Sequence, residues 1–237
     1  MYFNYDNLKF RQSPFPIGLA KPLMDPSLYK AMLANHPGKE QFIYKEKLGH
    51  KYTLSEHFNP KAFHRFIRTS PVWSDFYRRL KSRDFTRDVL EVLARNSPDL
   101  VYYADMTVGR QLRKRITNGD RLNCRAVRLK PRFEFSMLPA DGGHILPHSD
   151  SASKVISMVD EGKRTHPSAT TLMSTSRRKN RQAAFEEMEV VDTFEFTPNQ
   201  AVTLIKTFNS WHSVRSMKGK GSDAMRKTLT INNESFT

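Results

Sequence analysis

Two short stretches of this chain hold the residue types that bind a metal ion. Gly142-Gly143 marks a turn, and Ile145-Leu146-Pro147 then leads into His148-Ser149-Asp150. In an extended segment alternate side chains share a face. His148 and Asp150 can therefore offer an imidazole nitrogen and a carboxylate oxygen to one ion, with Ser149 turned away. By itself His-x-Asp occurs by chance in many chains, so a third donor decides. His212 provides it 62 residues after Asp150, in Ser210-Trp211-His212-Ser213-Val214, past a strand-like run and a short turn. Two histidines and one carboxylate make a facial triad, which leaves coordination positions open for a bidentate cosubstrate and O₂. A four-ligand structural zinc is disfavoured, because the single cysteine, Cys124, is far from these histidines in sequence. Taken alone, His212 would read as a histidine hydrogen-bonded in a turn.

Arg226 is the next candidate. It opens Arg226-Lys227-Thr228-Leu229-Thr230-Ile231-Asn232 fourteen residues beyond His212. From the start of a strand, its planar fork can reach back to grip a carboxylate in bidentate fashion. An arginine in a basic chain is more often a surface group. The order His-x-Asp, strand, His, strand, Arg is what singles this one out. His144 lies four residues before His148, but Gly142, Gly143 and Pro147 oppose the helix that a His-x-x-x-His zinc pair requires. His36, His50, His57, His64 and His166 show no ligand spacing and read as surface or capping groups.

These residues must be positioned by the surrounding elements. The first hundred residues read as mostly helical. Asp25-Pro26 and Asn59-Pro60 each set an N-cap before a first-turn proline, and further helical stretches run around Trp73 to Leu80 and Phe85 to Leu93. Phe85, Val89, Leu90 and Leu93 form an apolar stripe that belongs to the core. From Arg125 to Met137 the period changes to two, as in a half-buried strand whose polar face is cationic. β-like runs follow at 154–159, 189–196, 201–206 and 227–232, while the polar, basic span 161–184 reads as a long loop beside the site. Many short strands with turns between them imply a sandwich or barrel. The whole, 1–237, reads as one domain, with a mostly helical supporting part (1–110) buttressing a β-core with the metal site (111–237).

Composition sets outer bounds. Sixteen Phe and 38% hydrophobic residues supply a core and argue against disorder. Apolar runs such as Ala201 to Ile205 fall far short of the ~20 residues of a membrane helix. A start without a basic and then an apolar region, together with one cysteine, fits a cytoplasmic protein. The net charge of +15 favours anionic partners. Its clusters are Arg110 to Arg132 and Arg177 to Arg181, and the plain reading is solvated loops and one polar strand face. Aromatic residues do not interleave with them, which weakens a single-stranded nucleic-acid groove.

With these motifs in hand, the chain resembles the 2-oxoglutarate/Fe(II) oxygenases, in particular their prolyl-hydroxylase-like branch. The resemblance is carried by Gly143 to Asp150, Pro198-Asn199, Ser210 to Val214 and Arg226 to Asn232. It implies a mainly β fold with N-terminal helices, a double-stranded β-helix (jelly roll) core buttressed by those helices. It also implies Fe(II) held by His148, Asp150 and His212, and 2-oxoglutarate held by Arg226 with Thr228 as a helper. O₂ would be the cosubstrate and ascorbate a supporting reductant. Oxidation of 2-oxoglutarate to succinate and CO₂ would be coupled to hydroxylation of a C–H bond. Leu138 stands where some prolyl hydroxylases have a tyrosine touching the cosubstrate, and the basic span from Lys163 to Arg181 replaces a region that often carries a Gly-Gly-rich strand. Asn232 stands where nucleic-acid demethylases of the superfamily have a second arginine, which argues against nucleic acid as substrate. A peptidyl side chain, an amino acid or a sugar-like metabolite, with an anionic group among the options, fits the rest. Two other classes stay open: a basic jelly-roll module binding an anionic polymer, and a cupin-like metal enzyme without an oxidant.

Overall fold

A computed structural model describes residues 2–13, 15–96, 118, 129–151, 154–161, 169–174, 182–207 and 210–235. Among the described residues, four α-helices are bounded in the first half: α1 (Pro26–Ala34), α2 (Pro60–Thr69), α3 (Pro71–Leu80) and α4 (Arg83–Asn96). Asp25 caps α1 by accepting from the Ser27 and Leu28 amides, at 2.8 and 3.1 Å. Asn59 precedes Pro60 as expected, but its side chain is not a cap. It accepts from the Ser55 amide and donates to the Gln41 and Thr53 carbonyls, tying α2 to the sheet edge.

The strands are β1 (Lys9–Arg11), β2 (Ile17–Ala20), β3 (Ile43–Lys45), β4 (Lys51–Ser55), β5 (Leu129–Pro139) and β6 (Ile145–Ser149). They continue with β7 (Lys154–Glu161), β8 (Ala169–Ser174), β9 (Glu189–Glu195), β10 (Gln200–Ile205), β11 (Trp211–Val214) and β12 (Met225–Ser235). The larger antiparallel sheet has the order β1-β2-β10-β7-β12-β5-β4-β3 and the smaller one β6-β11-β8-β9. From β5 to β12 the chain passes repeatedly between the sheets, and the central four strands β10-β7-β12-β5 are matched by the four of the smaller sheet. That winding is a double-stranded β-helix, the jelly roll.

Alternation on β5 and β12 builds both the core and the site. Phe133, Phe135, Leu229 and Ile231 pack against the apolar faces of α2, α3 and α4, in one cluster with Phe63, Trp73 and Phe76. The intervening positions, such as Glu134, Ser136, Arg226 and Thr228, face the opposite way into a cavity. The polar face of β5 is thus an internal wall, and it is not simply cationic. Arg132 donates two hydrogen bonds to Glu234, and Lys51 pairs with Glu134. The strand's expected beginning at Arg125 to Arg128, the basic residues of the Arg110 to Arg132 cluster as far as Arg128, and the cluster Arg177 to Arg181 lie outside the described residues.

The first half, read as mostly helical, also supplies β1 to β4, which extend the larger sheet at both sides. β1 and β3 have three residues each, too few to display a period. β2 contains Gly18, ordinarily a strand weakener, where a Cβ would lie 2.8 Å from Leu8 and 2.9 Å from Phe10. The span 161–184 is not one loop, since β8 lies within it and pairs with β11 and β9. Its Thr170-Thr171 pair is β-branched, so a polar composition conceals a strand-forming one.

Candidate metal centre

β6 delivers His148 and ends at Ser149, with Asp150 next, and β11 delivers His212. The β6–β11 register sets His212 directly opposite His148, and the two rings stand 4.3 Å apart, tilted by 56°. His148 Nε2 lies 3.9 Å from Asp150 Oδ1. One donor atom from each of the three residues falls within 4.8 Å of the others. Three donor atoms so gathered could hold a single ion between them. Sequence spacing thus identified residues that the fold brings together. Ser149, between His148 and Asp150, is buried and accepts a hydrogen bond from Lys206 Nζ.

The hydrogen bonds prepare the donors. His148 Nδ1 bonds the Leu146 carbonyl at 3.0 Å and His212 Nδ1 the Ser210 carbonyl at 3.2 Å. A carbonyl only accepts, so each Nδ1 carries its ring's proton and each Nε2 keeps a lone pair for the ion. Burial, reinforced by His212, pushes the His148 pKa down to about 3, and burial lowers that of His212 as well. Burial alone would raise Asp150, but His212, protonated at the acid pH where a carboxylate titrates, then Lys154 and His148 hold it well below the usual carboxylate range. Two neutral imidazoles and one carboxylate at neutral pH are the forms a divalent cation needs, and the donor set fits Fe(II).

The triad opens into a cavity of about 660 Å³ that Arg226 and Thr228 also line. Arg226 is buried at 4% exposure, opposite Leu138 in the β5–β12 register, with its guanidinium 4.1 Å from the centroid of the Phe196 ring. Leu138 is thus an apolar neighbour of this arginine. The Thr228 and Ser136 hydroxyls bond each other at 2.7 Å across the same two strands. Asn232 lines the cavity further along β12.

Sequence reasoning missed several groups. Lys154 donates to Asp150 Oδ1 at 2.6 Å, and Phe196 underlies Arg226. Ser136 could have been found from the alternation on β5. A single lysine in a basic chain carries no such signal. Two histidines read as surface or capping groups also do more. His36 stacks on Phe42 and meets Phe135 edge-on, and His57 lines the cavity. His144 bonds the Gly142 carbonyl and stays outside the triad, as expected. His166 lies outside the described residues.

No family model and no curated protein matches the sequence. Solved structures do. A Pseudomonas putida prolyl-4-hydroxylase is 12% identical, with 92% of each chain covered and a TM-score of 0.45. A 2OG-Fe(II) oxygenase family oxidoreductase from Burkholderia pseudomallei is 11% identical over 89% of this chain and 79% of that one, with a TM-score of 0.39. A Trichoplax adhaerens prolyl hydroxylase, solved with a hypoxia inducible factor peptide fragment, is 7% identical over 92% and 83%, with a TM-score of 0.44. The fold is defined by the strand order itself, and the chemistry by the side chains that line the cavity.

Proposed function

We propose that this protein is an Fe(II)- and 2-oxoglutarate-dependent dioxygenase that hydroxylates a C–H bond. One observation carries the reading: three metal donors and a buried arginine line one cavity of a double-stranded β-helix. When bound, Fe(II) supplies the activation of O₂ and the oxidation of 2-oxoglutarate to succinate and CO₂. The chain's own part is to hold and to shield. Both Nε2 atoms and the Asp150 carboxylate hold the ion, the Arg226 fork receives the distal carboxylate of the cosubstrate, and Thr228 and Ser136 hold the adjoining wall. Leu138, Ile145, Val202, Leu204 and Val214 keep part of the cavity apolar. A reducing cytoplasm suits both the single Cys124 and an iron kept ferrous. No described helix is long and apolar enough to cross a membrane.

Anaerobic titration with Fe(II), followed by admission of O₂ with 2-oxoglutarate present, tests the reading. Bound iron in about equal number to chains, with oxygen uptake matched by succinate, is the expected result. Iron binding without oxygen uptake would replace it with non-oxidative metal chemistry, for which Arg226 has no evident use. Failure to bind metal would leave a binding module.

A further inference from the structure

Apart from Arg226, the described cations on the cavity wall fall into two kinds. Lys51 is engaged by Glu134, and Arg132 by Glu234, in each case by a carboxylate of the same sheet. Lys154 differs, because its carboxylate partner is a metal donor. It opens β7 four residues after Asp150, with its amide bonded to the Ser151 carbonyl at 3.1 Å. That turn directs Nζ onto Asp150 Oδ1 at 2.6 Å, the same oxygen that lies 3.9 Å from His148 Nε2. The side chain is only 18% exposed, so little water screens its charge.

A divalent ion on Asp150 takes up the negative charge that Lys154 now faces. The ammonium then stands beside a cation, in a half-buried place, and the two other carboxylates of that wall, Glu134 and the cross-strand Glu234, are already bonded to Lys51 and Arg132. Such an arrangement attracts an anion to the open side of the metal. Resting on the oxygenase reading above, we propose that Lys154 anchors a substrate carboxylate beside the iron, so that the substrate is an organic acid or an acidic side chain. One ammonium on a short reach grips one carboxylate, and a cavity of about 660 Å³ can hold such a group along with the cosubstrate. The acid can come from a free metabolite or from an Asp or Glu side chain of a peptide.

Mn(II), which binds such a site without turnover, allows the test on the full chain with 2-oxoglutarate saturating. Calorimetry would compare a panel of small mono- and dicarboxylic acids, amino acids included, with the matching amides. A second arm would compare a capped tripeptide centred on Glu with its Gln counterpart. At least one acid should bind tenfold or more tightly than its amide, and the arm in which it does so identifies the source. Lys154→Met should erase that preference, Lys154→Arg should restore part of it, and neither should weaken Mn(II). No acid exceeding its amide in either arm, or a preference that survives Lys154→Met, overturns the proposal. So does a Lys154→Met variant that loses affinity for 2-oxoglutarate alone, which would assign the lysine to the cosubstrate. Absence of Mn(II) or 2-oxoglutarate binding by the unaltered protein is a separate outcome, and it brings down the oxygenase reading itself.

Discussion

His148, Asp150 and His212 are prepared together as donors: backbone carbonyls fix both imidazole tautomers, and Lys154 donates a hydrogen bond to the carboxylate. His148→Ala, Asp150→Ala and His212→Ala should each abolish iron binding while the circular dichroism spectrum stays that of a folded protein. A variant that retains full iron affinity would remove its residue from the site. Arg226 makes a separate prediction. Removing one partner of a buried, hydrogen-bonded charge pair costs about 2–5 kcal/mol, or roughly 30-fold to several thousand-fold in affinity. Arg226→Ala should raise the 2-oxoglutarate requirement by that factor and leave the Fe(II) titration little changed. An unaltered requirement would shift attention to another cavity cation. These residues were legible because donor chemistry is specific and because a period of two sets which neighbours share a face. Lys154 and Phe196 were not, since each acts through a three-dimensional neighbour that sequence order hides.

Among the elements, β5 and β12 carry most of the design. One face of each packs on helices and the other lines the cavity, so a single alternation serves stability and chemistry together. The helices were readable from Pro at their first positions and from 3.6-residue apolar spacing, as in α4. The short strands β1 to β4 were not, because three to five residues tied to a sheet edge obey their partners rather than their own composition. β8 escaped for a related reason, its threonines reading as polar loop. His36 shows how a helix layer can impose a pH dependence. Wedged against Phe42 and Phe135, it has a pKa pushed by burial, and then by Lys227, from 6.5 down to about 4. The folded chain refuses a proton that the unfolded chain accepts over that interval. Stability is therefore intact above about pH 6.5 and falls as the pH drops towards 4, with His148 and His212 adding to the same slope. Substituting His36→Phe keeps a ring in place and removes the titration. Urea denaturation at pH 7 and pH 5 should then show the variant losing about 2 kcal/mol less than the wild type. Equal losses would show that His36 titrates normally.

On the scale of the whole molecule, the charge of +15 comes from 39 Lys and Arg against 24 Asp and Glu. At the cavity, the described cations are largely matched by carboxylates, as in Lys51 with Glu134 and Arg132 with Glu234. The sequence clusters from Arg110 to Arg128 and from Arg177 to Arg181 hold much of the excess. The second of them lies, in sequence, between the two segments that carry the candidate metal donors. A field of that kind acts on encounter more than on the final grip, and salt weakens it over a Debye length of ~8 Å at physiological ionic strength. For an acidic substrate anchored by one lysine, the apparent affinity should fall only modestly as salt rises. Replacing Arg177, Arg178 and Arg181 together by Glu should reduce affinity at low salt and flatten its salt dependence, while succinate formation without substrate is unchanged. If affinity and salt dependence both match wild type, the cluster is solvated surface with no part in recognition. A polyanion would behave differently, because each neutralised phosphate releases a counterion and log affinity falls with log salt at a slope of about −0.9 per contact on duplex DNA. A shallow slope is what a small acid or an acidic peptide requires.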